Sequence, residues 1–148
     1  MHRPQRSLPG FGGAFAISIL AAAAYRLLRA VPAYPCNGIT VKPPRTDPEP
    51  VVGGEVTDAG SDNSPIENAV MRLYMCNLAT PTPTLVATTE TDNEGLYSFP
   101  DLTPENWYYV EAVMSGPLAS MTPASGTENP SIAVGLGDSV TDLDFAFE

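Results

Sequence analysis

Residues 84–113 restrict the fold of this chain more than any other stretch. The segment 84–90 (TLVATTE) is rich in β-branched residues, which pack well on a pleated surface and so predict a strand. Thr91-Asp92-Asn93-Glu94-Gly95 follows as a tight polar turn, and Gly95 can take the positive φ that such a turn needs. Leu96-Tyr97-Ser98-Phe99 then alternates, with Tyr97 and Phe99 on one face. Leu102 leads into a Pro-Glu-Asn turn and a second aromatic strand over 107–113. Two strands joined by an acidic turn that ends in glycine predict a β-hairpin. The chain's sixteen prolines and twelve glycines break the remainder into pieces too short for long helices.

The same reading predicts seven strands, at about 51–58, 68–78, 83–91, 95–99, 106–114, 131–136 and 139–147. Short strands at this spacing point to a seven-stranded antiparallel β-sandwich. The last strand alternates most clearly: Leu143, Phe145 and Phe147 face one way, and Asp142, Asp144 and Ala146 the other. Ile132, Val134 and Leu136 repeat that pattern one strand earlier. Met71, Leu73 and Met75 alternate with Arg72, Tyr74 and Cys76. Each large apolar side chain fully buried contributes about 1.5–3 kcal/mol, so a dozen suffice for a domain of this size. The 115–130 stretch has no clear periodicity and is left as a loop or an edge strand.

Charge and hydropathy divide the chain further. Four of the seven Lys and Arg residues precede residue 30, and all 17 acidic residues lie at or beyond Asp47. Residues 30–148 thus hold three cations against 17 carboxylates, a net −14. Such a surface repels phosphate, which argues against nucleic acid as a partner. An acidic solvated surface that keeps the protein soluble accounts for the charge. Residues 11–25 are uncharged and apolar; fifteen residues fall short of the roughly 20 needed to span a bilayer as a helix. They suit the apolar core of an export signal, so 1–34 reads as a signal peptide or membrane-targeting segment carrying an apolar export helix. The membrane enters only through this segment. Alternatively, Gly10-Phe11 before an apolar run suits a pilin-like subunit that retains its helix, although Phe15 stands where a pilin glutamate belongs. Five prolines make 35–50 an extended linker, and a domain follows at 51–148.

Catalytic inventory is thin. His2, the sole histidine, lies in the export segment, so the domain lacks imidazole for Ser-His-Asp or Cys-His chemistry and for histidine-ligated metals. Carboxylates are plentiful but fall in turns or on outward strand positions, with no sign of a cleft. The expectation is a protein that is not an enzyme and has no cofactor beyond calcium. Trp107, with Tyr109 nearby, is a candidate sugar-stacking platform, although strand aromatics more often pack against neighbouring strands. In an exported chain Cys36 and Cys76 are the one available intramolecular pair; two free thiols, or a lipidated Cys36, are the alternatives.

The segments VVGGEVTDAGSDNSPIENAVMRLY, TDNEGLYSFPDLTPENWYYVEAV and IAVGLGDSVTDLDFAFE together resemble a B-type repeat of bacterial serine–aspartate-repeat adhesins (SdrD B-like). They are also similar to carboxypeptidase regulatory-like and Cna-B-type modules. The resemblance covers 51–148 and implies an Ig-like or prealbumin-like sandwich that serves as a non-catalytic secreted or cell-surface module. Adhesin repeats of this kind bind calcium through acidic loops. The matching loop here makes Asp58, Asp62, Asn63 and Glu67 candidate ligands, and backbone and water would have to complete a shell of six to eight oxygens. Cna-B-type modules carry a lysine–asparagine cross-link promoted by a buried glutamate. Here the first strand has no lysine, the last strand no asparagine, and Glu111 has outward parity. Three roles remain: a structural or adhesive module contacting an extracellular protein or matrix ligand, a small carbohydrate- or calcium-binding domain, and a pilin-like subunit.

Overall fold

A computed structural model describes residues 35, 36, 39, 49–79 and 82–148. The chain divides after Pro32, and all the described residues belong to the second unit, Ala33–Glu148. The expected export helix in 1–34 and most of the linker lie outside the described residues.

Strands dominate, and no α-helix occurs among the described residues. In chain order they are β1 (Val52–Asp58), β2 (Ser64–Pro65), β3 (Val70–Cys76), β4 (Thr84–Glu90), β5 (Leu96–Phe99), β6 (Trp107–Ala112), β7 (Val134–Gly135) and β8 (Phe145–Phe147). One four-stranded sheet runs β4-β3-β6-β7, antiparallel throughout. The other is built on β1, which pairs antiparallel with β2 and β5 and parallel with β8. The protein is therefore all-β, with two largely antiparallel sheets in a sandwich-like arrangement.

The turn at 91–95 forms as its residues dictate, but the expected hairpin does not: β4 pairs with β3 and β5 with β1, so the turn carries the chain from one sheet to the other. The Asp92 carboxylate accepts hydrogen bonds from the Glu94 and Leu96 N–H groups, both at 2.9 Å, and Gly95 sits at φ +75°. A Cβ on Gly95 would also meet the Val56 carbonyl at 2.6 Å, so space as well as conformation demands glycine. Thr91, just before the turn, is 3% exposed. Its hydroxyl accepts from Ala69 N–H at 2.9 Å and donates to the Ile66 carbonyl at 2.6 Å, joining the entry of β3 to the exit of β4. Replacing it with an isosteric methyl orphans both backbone groups, each at about 1–3 kcal/mol. Thr91→Val should therefore lower unfolding free energy by about 2–4 kcal/mol in a urea titration.

Tyr97, Phe99, Phe145 and Phe147 from one sheet pack against Met71, Leu73, Tyr108, Val110 and Ala112 from the other. The aromatics interlock: ring centroids lie 5.9 Å apart for Tyr97–Phe99 and 6.2 Å for Tyr97–Phe145. Leu102, Leu118 and Leu136 fill the ends of this core. Leu118 comes from the 115–130 stretch, where Gly116–Leu118 forms one 3-10 turn and drives the leucine inward.

Besides the missing hairpin, three features depart from the sequence expectation. First, β8 is parallel to β1, not antiparallel, and only three residues long. Ahead of it, residues 140–144 already follow β1, through Val140 N–H to Val51 O (2.8 Å) and Leu143 N–H to Gly53 O (3.1 Å). Asp144 then places its carboxylate where a backbone carbonyl would stand and accepts from Glu55 N–H at 2.9 Å, so the regular ladder resumes only at Phe145. Second, β7 shrinks to two residues because side chains replace its backbone upstream. The Ser131 hydroxyl accepts from Val110 N–H at 3.0 Å, and the Asn129 amide bonds both the N–H and the carbonyl of Ala112. That substitution breaks the expected parity, and Ile132 is 63% exposed rather than in the core. Third, an eighth pairing segment, β2, adds to the seven expected strands.

Candidate functional site

The β3–β6 register places three cross-strand pairs in a row on the outer face of the β4-β3-β6-β7 sheet. Arg72 lies opposite Glu111, Tyr74 opposite Tyr109, and Cys76 opposite Trp107. The row follows from parity: Tyr108, Val110 and Ala112 occupy the buried face, leaving Trp107, Tyr109 and Glu111 for the other. Tyr74 and Tyr109 stack with ring centroids 5.0 Å apart and planes at 11°. The Tyr74 hydroxyl donates to Glu111 Oε2 at 3.0 Å. Its pKa is raised, first by burial and then by the Glu111 carboxylate, with Arg72 pulling the other way.

Cys36 and Cys76 are disulfide-bonded, with Cα atoms 5.3 Å apart and 40 positions between them in sequence. The bond lies at the Trp107 end of the row and fastens the linker to the last residue of β3. Tyr109 is only 5% exposed despite its outward parity, with Tyr74 stacked on it. A ring so buried offers a sugar little surface, and Trp107 beside it is itself partly buried. Sequence reading missed the Tyr74–Tyr109 stack. Its signal was the pair of matching outward triplets, 72/74/76 and 107/109/111, which become informative only when the register is known.

The candidate calcium loop folds as turn chemistry. The Asp58 carboxylate accepts from Gly60 N–H at 2.9 Å, while Asp62 and Asn63 occupy left-handed positions at φ 54° and 55°. Asp62, Asn63 and Glu67 are all exposed. Among the described residues no three acidic, cysteine or histidine side chains gather closely enough to hold a metal ion. Melting curves in calcium and in chelator should therefore coincide; a calcium-induced rise in Tm would restore the loop as a ligand set.

Tyr97 contributes the other displaced titration. Burial, and then the nearby Asp144 carboxylate, push its phenol far above the ordinary range. Its hydroxyl donates to the Leu143 carbonyl at 2.5 Å. With the folded value raised, the proton is held more tightly in the folded state. The associated stability is complete below about pH 10, the ordinary phenol value, and is lost as pH rises beyond it. Alkaline titration of wild type should show a steep loss of stability above that pH, and Tyr97→Phe should flatten it.

No family model and no curated protein matches the chain. Among solved structures it is similar to a 9R-lipoxygenase from Cyanothece PCC8801, with a TM-score of 0.32 and 15% identity over 73% of this chain. The match spans 17% of the lipoxygenase, so this chain corresponds to a small part of that protein's length, and a likeness at this level says nothing about activity.

Proposed function

We propose that the chain is an exported, non-catalytic surface module of the B-type, prealbumin-like kind, which acts by presenting a rigid folded body for protein contacts. The observation that carries this reading is the Cys36–Cys76 bond. It ties the segment downstream of the apolar run onto the sandwich, and such bonds persist in oxidising compartments. The carboxylates favour the same role. Asp58, Asp92 and Asp144 are each engaged with backbone N–H groups, which makes them parts of the scaffold rather than of a reactive centre. The absence of histidine from 51–148 is consistent with this reading.

Mass spectrometry of the protein recovered from its native host tests the proposal. Cleavage is expected after residue 30 and upstream of Cys36, leaving a chain with no titratable thiol. Cleavage between Gly10 and Phe11 would instead identify a pilin-like subunit. An uncleaved cytoplasmic chain with two free thiols would overturn the proposal.

A further inference from the structure

The free side of β4 is the one long strand edge that the described fold leaves open. The other edges are short or covered. β2 and β7 have two residues each and β5 has four. The far side of β8 is closed by residues 122–124, through Ala124 N–H to Ala146 O at 2.9 Å and Glu148 N–H to Thr122 O at 2.9 Å. By contrast, β4 has seven residues and ends its sheet, and among the described residues no backbone group on its outer side has a hydrogen-bond partner. It also lacks the usual protection. Residues 84–89 contain no charge and no proline, while Leu85 and Val86 are 50% and 45% exposed. Unpaired edges of this composition attract added strands, and natural proteins normally blunt them with lysine or proline. The one blunting device here is the bulge at Val86, where pairing steps from Leu73↔Ala87 to Tyr74↔Leu85.

A second observation identifies the occupant. Where β4 ends, Thr89, Glu90, Asp92 and Leu96 help line a groove of about 440 Å³ that contains no cation. Between residues 51 and 148 Arg72 is the sole cationic side chain, against fifteen carboxylates. A second copy of the chain would bring the same negative charge to this edge and be repelled. We propose that β4 binds an extended segment of a cationic partner protein by strand addition. The partner's backbone pairs with residues 84–90, and a lysine or arginine at its end enters the groove beside Glu90 and Asp92. Main-chain hydrogen bonds supply the affinity, and the carboxylates select the register and sign of charge. The site rests on the reading of the chain as a protein-contact module and names where the contact is made.

The probe is a fluorescent synthetic peptide, Lys-Thr-Val-Thr-Val-Thr-Lys, titrated against the full chain by anisotropy, with hydrogen exchange in parallel. The peptide should bind and slow exchange of the amides in 84–90. Val86→Pro should weaken binding about tenfold, the equivalent of roughly one hydrogen bond. Val86 is the bulge residue and has no register partner in β3. Glu90→Lys should have a similar effect, largest at low salt. Should Val86→Pro misfold, Leu85→Lys serves in its place. Equal binding of a proline-interrupted peptide of the same charge would overturn the proposal, as would unchanged affinity in the variants. A dimer in light scattering that Val86→Pro abolishes would also overturn it, assigning the edge to a second copy. Export and surface display without any binding of strand-forming peptides would remove this site alone, leaving the surface-module reading intact.

Discussion

Gly54→Ala should unfold the protein or come close to it, at a cost of about 3 kcal/mol or more in a urea titration, at or above the upper end of ordinary overpacking. The reason is space rather than backbone freedom. A Cβ at this position would lie 2.2 Å from the Leu143 carbonyl oxygen and 2.5 Å from its carbon. These are main-chain atoms, which cannot swing aside as the end of a flexible side chain can. They are also held in place: Leu143 N–H bonds the Gly53 carbonyl, the Leu143 carbonyl accepts the Tyr97 hydroxyl, and Asp144 caps Glu55 N–H. A methyl group would push residues 140–144 off β1, taking with them the fully buried Phe145 and Phe147. Gly116→Ala provides the comparison. Gly116 sits at φ +54° with nothing within 4 Å, so alanine there should cost only the left-handed penalty of about 1–2 kcal/mol. Equal costs at the two sites would refute the parallel docking of the last strand.

Cys76→Ser, or reduction of the native protein, should remove about 4 kcal/mol, the chain-entropy contribution expected for closing a loop of some 40 residues. That is a large share of the roughly 5–15 kcal/mol that holds an ordinary domain together. The effect has a second component. Cys76 is 5% exposed and stands opposite Trp107 at one end of the outer aromatic row, so the bond also anchors the linker over that end of the sheet. Reduced protein should therefore combine a lower urea midpoint with changed tryptophan emission before global unfolding, because Trp107 is the sole tryptophan. A midpoint unchanged by reduction would mean that the linker contributes nothing to the folded body.

Local chemistry was the part written plainly in the residues. Gly95 was expected to need a positive φ and has one, because a five-residue polar turn between two β-branched or aromatic runs leaves few other geometries. The buried parity of Tyr97, Phe99, Tyr108, Val110 and Ala112 was legible for the same kind of reason, since Cβ atoms alternate along any strand whatever it pairs with. Parity failed at Ile132, where Ser131 and Asn129 bond β6 through their side chains and no spacing rule registers the substitution. The outer row of Arg72, Tyr74 and Cys76 was visible as a triplet, but its stacking on Tyr109 depends on a register between strands more than thirty residues apart.

By itself, then, the sequence determined the class of the fold, the polar turn at 91–95 though not the sheets it joins, most of the buried face of each strand and the one pair of cysteines able to join. The tertiary structure decided the direction in which residues 140–147 dock, the requirement for glycine at 54 and the strand edge left open to solvent. The physical division is one of range. Side-chain alternation and turn preference are set by neighbours within a few residues, whereas strand direction and edge exposure depend on backbone hydrogen bonds between distant segments. The Glu55–Asp144 contact, which spans 89 positions, is such a bond, and nothing local to either residue announces it.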